Sequence, residues 1–350
     1  MSTERLRIGM IGCGDAGLRA ARGIQDAEHA ELAGVMDVNE QLVRDLGDQC
    51  AVPWTCDLAE LLALPHLDAV YIAVPNYLLT SIALTAVAAG KHILCEKPMA
   101  TSVADADRMI AACADAGLTL GVAFEAQVTP EIQRLQELVR GGAIGEVMGT
   151  RITLMMDKPD TYWTHGYTGR VVTDWRLSKA KAGGGMLVTT CIHDINAVLY
   201  ISGLEASRVY AEYGAYMNPV DVEDLIVVSV RYSNGAIGHI EGGSHIPGNE
   251  DPMDWTVHIY GKEGQVALGE TLRIFTTRAD AGVPAHSWYE VGPKHEAHAG
   301  RTRVMEGFAA AVLAGRRPPV TGEDGRAALA IAMAAYQAGQ EKRPVELLGH

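Results

Sequence analysis

The sequence predicts an α/β chain: a parallel-sheet domain at the N-terminus, followed by an α+β domain with a largely antiparallel open sheet. Three observations carry this. The chain has 350 residues, and at ~100–200 residues per domain that length suits two domains. Over its first third, short apolar runs alternate with helical patterns, which implies parallel strands with helices on both faces. From about Gly145 the strand-like runs follow one another without intervening helices, as in an antiparallel sheet.

In chain order, "LRIGMIG" (Leu6–Gly12) reads as the first strand and a helix follows from Gly14. "ELAGVMD" (Glu31–Asp37), "DAVYIAVP" (Asp68–Pro75), "KHILC" (Lys91–Cys95) and "TLGVAF" (Thr119–Phe124) continue the strand series. These runs lack polar alternation, as expected of strands buried on both sides. Helices over Leu79–Ala89 and Ser102–Ala116 stop at Gly90 and Gly117, in the usual position for a glycine cap. In the second half, Glu146–Met156, Ser207–Met217 and Asp224–Tyr232 are strand-like, and Asn234-Gly235 signals a hairpin into "AIGHIEGG". "DWTVHIYG" and "GQVALG" extend the sheet. In Leu225–Arg231 both faces begin apolar, so helices are expected on one face and a second subunit on the other. A helix over Arg303–Ala314 and an Ala-rich helix capped by Thr321–Asp324 close the chain. The expected boundaries are 1–125, 126–300 and 301–350, the last comprising helices that pack back on the two domains.

The formal charge is −14, which argues against nucleic acid or an anionic membrane as a partner, because both need clustered Lys and Arg. No apolar run approaches the ~18 residues of a membrane span, and the charged, glycine-rich start does not read as a signal peptide. The six cysteines are scattered without CxxC spacing, which suits reduced thiols and a cytoplasmic location and gives no metal framework.

"GCGDAG" places Gly12, Gly14 and Gly17 in GxGxxG spacing between a strand and a helix, with Asp15 and Ala16 inside the turn. Such a turn brings backbone N–H groups and a helix N-terminus to a pyrophosphate. Asp37 ends the next strand, twenty residues beyond Gly17, at the spacing of an acid that binds an adenosine ribose. Its charge would repel a 2′-phosphate, so NAD is favoured over NADP. Val74, Pro75 and Asn76, and then Glu96 and Lys97, follow parallel strands at the end where ligands bind in such sheets. Taken alone, Glu96-Lys97 is a charged pair at a strand end. In the apolar helix expected over Ala182–Gly203, Thr189, His193 and Asn196 fall at i, i+4 and i+7, on one face. Histidine is the usual base near neutral pH, and alcohol oxidation needs a base while the carbon releases hydride. In Asp157–Arg176, Trp163, His165 and Arg170 are candidates to bind a sugar through aromatic faces and polar groups.

Together, "GCGDAG", "DAVYIAVPN", "AAGKHILCEKPMA", "WRLSKAKAGGGML", "CIHDIN" and "PPVTGEDG" resemble the glucose–fructose oxidoreductase / inositol dehydrogenase / MocA family over nearly the whole chain. The resemblance implies a Rossmann domain, a C-terminal sheet that forms dimer or tetramer contacts, and NAD(P)-dependent chemistry on sugars, cyclitols and related polyols. It implies that Lys97 and His193 are catalytic, and that Gly12, Gly14, Gly17, Asp37, Pro75, Asn76, Glu96, Trp175 and Arg176 surround the cofactor. The chain departs from the family where Asp is common: Thr189 stands four residues before the histidine and Asn196 three after it. Leu79 replaces a frequent His, and Gln127 a frequent Arg. Two alternatives share the fold: glycoside cleavage through transient oxidation and elimination, and a non-catalytic NAD-binding regulator.

Overall fold

The computed structural model describes residues 4–216, 220–249, 254–293 and 297–347. Its first sheet comprises β1 (Leu6–Ile11), β2 (Ala30–Met36), β3 (Trp54–Thr55), β4 (Ala69–Ile72), β5 (His92–Cys95) and β6 (Leu120–Val122). All are parallel, in the order β3-β2-β1-β4-β5-β6. The order reverses beside β1, which opens a crevice at the carboxyl ends of β1, β4 and β5. Ile8, Met10, Val35, Val70, Ile72, Ile93 and Val122 are wholly buried, which accounts for the continuous apolar runs.

The second sheet comprises β7 (Val147–Met155), β8 (Ala206–Gly214), β9 (Leu225–Tyr232), β10 (Ile237–Gly243), β11 (Asp254–Gly261), β12 (Gly264–Leu268), β13 (Thr271–Thr276), β14 (Ser287–Pro293) and β15 (Val345–Glu346). Their order is β14-β13-β12-β11-β7-β10-β9-β8-β15. The Asn234-Gly235 hairpin forms, with Gly235 at φ +89°. β10 does not pair with β11. β7 lies between them, parallel to β10 and antiparallel to β11. The first strand of the domain thus occupies its centre, and its end delivers the segment from Asp157 to the crevice. β9 alternates buried and exposed residues, with Val227 39% exposed. Among the described residues, one face is covered, by the helices Ile192–Ser202 and Gly322–Glu341.

The last helix begins with the expected capping box at Thr321 and Asp324. The helix Ala297–Leu313 lies against Asp15–Asp26 and sends Phe308 beneath Gly121 of β6. The stretch Lys179–Ser202 proves long and apolar enough for a membrane span by composition, but most of it is buried inside the protein. That burial explains its composition.

Candidate active site

Two of the three loop glycines are required by packing. A Cβ on Gly12 would stand 2.3 Å from Ala73 O, and one on Gly17 would stand 1.9 Å from Gly12 O. Gly12 also sits at φ +95°. Gly14 differs: its Cβ would meet only Val171, at an ordinary 3.5 Å. Nothing among the described residues demands glycine there, whereas a ligand lying against the backbone would. Gly14 is also the N-cap of the helix Asp15–Asp26, with no side-chain cap, so the first turn presents free donors to an anion. Asp37 accepts from Cys13 N at 2.6 Å and from Asn39 N at 2.8 Å, which fixes its carboxylate beside the loop. The cradle therefore fits a dinucleotide.

The Asp15 side chain holds a segment of the second domain. Its carboxylate accepts from Tyr167 N at 3.1 Å, Thr168 N at 3.2 Å and the Thr168 hydroxyl. This latches the segment after β7 over the glycine loop, with Val171 against Gly14. Asn76, expected along the cofactor, is buried and donates to Ala182 O at 2.8 Å. It ties the helix Asn76–Ala88 to the start of the Gly183–Gly185 turn. That turn needs its glycines: a Cβ on Gly184 would overlap the Tyr336 ring, and one on Gly185 would stand 1.9 Å from Glu223 O. The Glu223 carboxylate accepts from Gly185 N, Leu187 N and the Tyr336 hydroxyl at 2.6–2.9 Å.

At the end of β5, Glu96 and Lys97 diverge. Glu96 was expected to line the cofactor. In the fold its carboxylate accepts from Tyr71 at 2.9 Å and from Arg301 at 3.2 Å. Arg301 also lies 3.1 Å from Glu125. Burial alone would raise the Glu96 carboxyl, but Arg301, Lys97 and these hydrogen bonds outweigh it and hold it below its ordinary value. Lys97 runs the other way and donates from Nζ to the backbone oxygen of Thr189 at 2.8 Å. Burial lowers its amine, helped by the positive Lys158 and Arg301 and opposed by Glu96.

The geometry at Thr189 departs from the helical expectation. Leu187–Cys191 form a π-helical turn leading into the α-helix Ile192–Ser202. A π turn changes the hydrogen-bond ladder locally and is frequent at functional sites. It also breaks the 3.6-residue spacing that placed Thr189, His193 and Asn196 on one face. The Thr189 hydroxyl donates back to Gly185 O at 2.7 Å. Asn196 is buried and accepts from Gln127 at 3.1 Å, so it packs between helices. His193 stands edge-on to Phe124, with ring centres 5.9 Å apart. Asp194 is turned to Trp255, whose indole donates at 3.1 Å. Lys97 thus grips the turn four residues before His193, where the family has an acid, but by a neutral carbonyl.

The Asp157–Arg176 segment is divided between cofactor loop and interior. Trp163 is buried in a small core with Tyr162, Ala182 and Val222. His165 pairs with Thr164 at 2.7 Å. Arg170 lies close enough to Cys13 to act on its thiol electrostatically, which places it by the glycine loop. Arg176 stacks on Trp175 at 4.5 Å and on Tyr162 at 5.1 Å, beside Gly166 and Asp15. Lys158, Arg301, Glu223 and Tyr336 were not anticipated; only an unexplained lysine between two apolar runs could have marked Lys158.

Comparison with known proteins decides the family. Residues 6–124 match the model of the oxidoreductase family with an NAD-binding Rossmann fold, and residues 132–267 match the GFO/IDH/MocA C-terminal domain. The chain belongs to the Gfo/Idh/MocA family. It is similar to a myo-inositol 2-dehydrogenase of Thermotoga maritima, 27% identical with 98% of each chain covered. It also resembles a levoglucosan dehydrogenase of Pseudarthrobacter phenanthrenivorans, 29% identical over 63% of this chain and 60% of that one. Among solved structures, GenD2 from gentamicin A biosynthesis in complex with NAD superposes with a TM-score of 0.83 at 28% identity, covering 100% and 98% of the chains. This family member is an oxidoreductase whose Rossmann cradle suits a nicotinamide cofactor.

Proposed function

We propose that the protein transfers hydride between NAD and a hydroxyl carbon of a sugar, cyclitol or related polyol. The observation that carries this reading is the Lys97–Thr189 contact, which joins the carboxyl end of β5 to the turn before His193. The dinucleotide would lie on Gly12–Gly17 with its ribose toward Asp37, and its nicotinamide would supply the hydride acceptor. Lys97 donates a hydrogen bond to the reacting oxygen, and His193 takes the hydroxyl proton. The carbon then releases hydride as its C–H bond breaks and the carbonyl forms. The negative Asp37 supports NAD over NADP. The similar inositol and levoglucosan dehydrogenases support a ring polyol.

The test is a panel of sugars, inositols and glycosides with NAD and NADP, following both NADH and products. Oxidation should fall about 10²–10⁴-fold in Lys97→Met or His193→Ala. Near-full turnover in either variant defeats the assignment. Net glycoside cleavage without NADH accumulation would replace this reading with elimination chemistry.

We further infer self-association through the open face of the second sheet. Val227 and the 57% exposed Ile237 stand on that face, in register with Glu241 and Arg231.

A further inference from the structure

The hydride-transfer reading leaves a second buried lysine unused. Lys158 follows β7 and is only 2% exposed. Its Nζ donates to Thr190 Oγ1 at 2.8 Å and lies 4.4 Å from the centre of the Tyr162 ring. Arg176 approaches the same ring at 5.1 Å. Lys97 holds Thr189 and Lys158 holds Thr190, so two ammonium groups grip adjacent residues of one turn just before His193.

Among the described residues, no carboxylate forms an ion pair with Lys97 or Lys158. The surrounding acids are engaged elsewhere: Glu96 with Tyr71 and Arg301, Glu223 with Gly185, Leu187 and Tyr336, and Asp194 with Trp255. Position 189, where the family commonly has Asp, carries no charge. Burial would raise the Tyr162 phenol, but Lys158, Arg176 and Lys97 outweigh it and hold it below its ordinary value. The indole N–H of Trp163, with its ring 5.9 Å from Lys158, is buried and has no acceptor among the described residues. Buried positive charge and an idle donor are both costly unless an anion meets them.

We propose that the substrate is a sugar acid, whose carboxylate binds Lys158 with help from Tyr162, Arg176 and the Trp163 indole, while its reacting hydroxyl sits between Lys97 and His193. This rests on the oxidoreductase reading above and narrows its substrate class. A lysine ammonium is a compact charge that suits a carboxylate, and cation–π contact with Tyr162 keeps it in place between turnovers.

The experiment compares uronates and aldonates with their neutral parent sugars, using the intact enzyme with NAD. The acids should have the higher kcat/KM. Lys158→Met should lower kcat/KM for the acids about 10- to 100-fold more than for the neutral sugars, the value of a charge-assisted hydrogen bond, with the excess loss mostly in KM. Lys158→Arg should recover part of the loss. Neutral sugars turned over as well as the acids, or an equal loss on both in Lys158→Met, would overturn the proposal. So would near-ultraviolet tyrosinate absorbance at neutral pH that disappears in Lys158→Met, because Tyr162 would then be the counter-charge. If nothing in the panel is oxidised, the oxidoreductase assignment is the part in question. Calorimetric binding of glucuronate against glucose to the NADH-loaded protein then decides this proposal alone: preference for glucuronate supports it and equal binding rejects it.

Discussion

Replacing Arg301 with glutamine should destabilise the protein and move the pH dependence of catalysis together. The guanidinium serves Glu96 and Glu125, with side-chain exposures of 17%, 13% and 15% for the three groups. Removing one partner of a buried pair costs about 3–5 kcal/mol. The site is partly solvated, so the lower end, about 3 kcal/mol, is expected. At ~2.1 cal/mol/K per residue, 350 residues convert this into a Tm loss of about 4 °C. The pH sign follows from Glu96, which is held below its ordinary value of 4.5. A depressed carboxyl contributes stability above its unfolded pKa and loses it as pH falls through the folded one. The gap between wild type and Arg301→Gln should therefore be full at neutral pH and close in acid. In the same variant Glu96 is left to pair with Lys97, so the Lys97 amine should rise and the alkaline limb of kcat/KM should move up. Denaturant titrations from neutral to acid pH, with pH–rate profiles, test both. A pH-independent gap, or a loss below about 1 kcal/mol, would refute the buried-pair reasoning.

The remaining predictions concern the cofactor cradle, the π turn and the open sheet. Asp37→Ser should narrow the preference for NAD over NADP by about tenfold or more, read from the two kcat/KM values. Gly14→Ala should leave Tm unchanged yet weaken NADH binding by fluorescence titration. Gly185→Ala should instead lose about 3 kcal/mol in denaturant, because its Cβ meets Glu223 O. Thr189→Asp should raise the Lys97 amine through the added negative charge, seen as an upward shift of the alkaline limb. Ile237→Lys should shift any assembly toward monomer in light scattering without changing the fold by circular dichroism.

The first sheet was legible because its strands are buried on both sides and their sequences are unbroken apolar runs. β3 escaped notice because two residues carry no periodicity. β13 and β14 were missed because polar and half-exposed residues interrupt them, as at Arg273 and Trp288. The central position of β7 could not be read, because hairpin signals report only neighbours in sequence. The glycine loop and Asp37 could be proposed from spacing within one strand–turn–helix–strand unit, whereas Lys97, a strand-end charge when read alone, drew its proposed role only from its combination with the His193 helix and the family resemblance. Arg301 and Glu223 were not, because their partners lie 205 and 113 residues away.

Thr189 shows why substitution patterns alone misjudge such a site. Read from the chain, losing an acid four residues before His193 removes the charge partner of Lys97 and His193. In the fold, the π turn presents the Thr189 carbonyl to Lys97 Nζ. The lysine is still positioned, but by a dipole and not by a charge. A carboxylate would have favoured the ammonium form. A carbonyl orients the amine while leaving it lowered by burial and by Lys158, so the hydrogen bond that Lys97 is proposed to donate would be lost at lower pH than with a charged partner. The same substitution leaves the positive charge of Lys158 uncompensated. On the proposed reading, a neutral residue at position 189 would tune the Lys97 amine and fit the site to an anionic substrate.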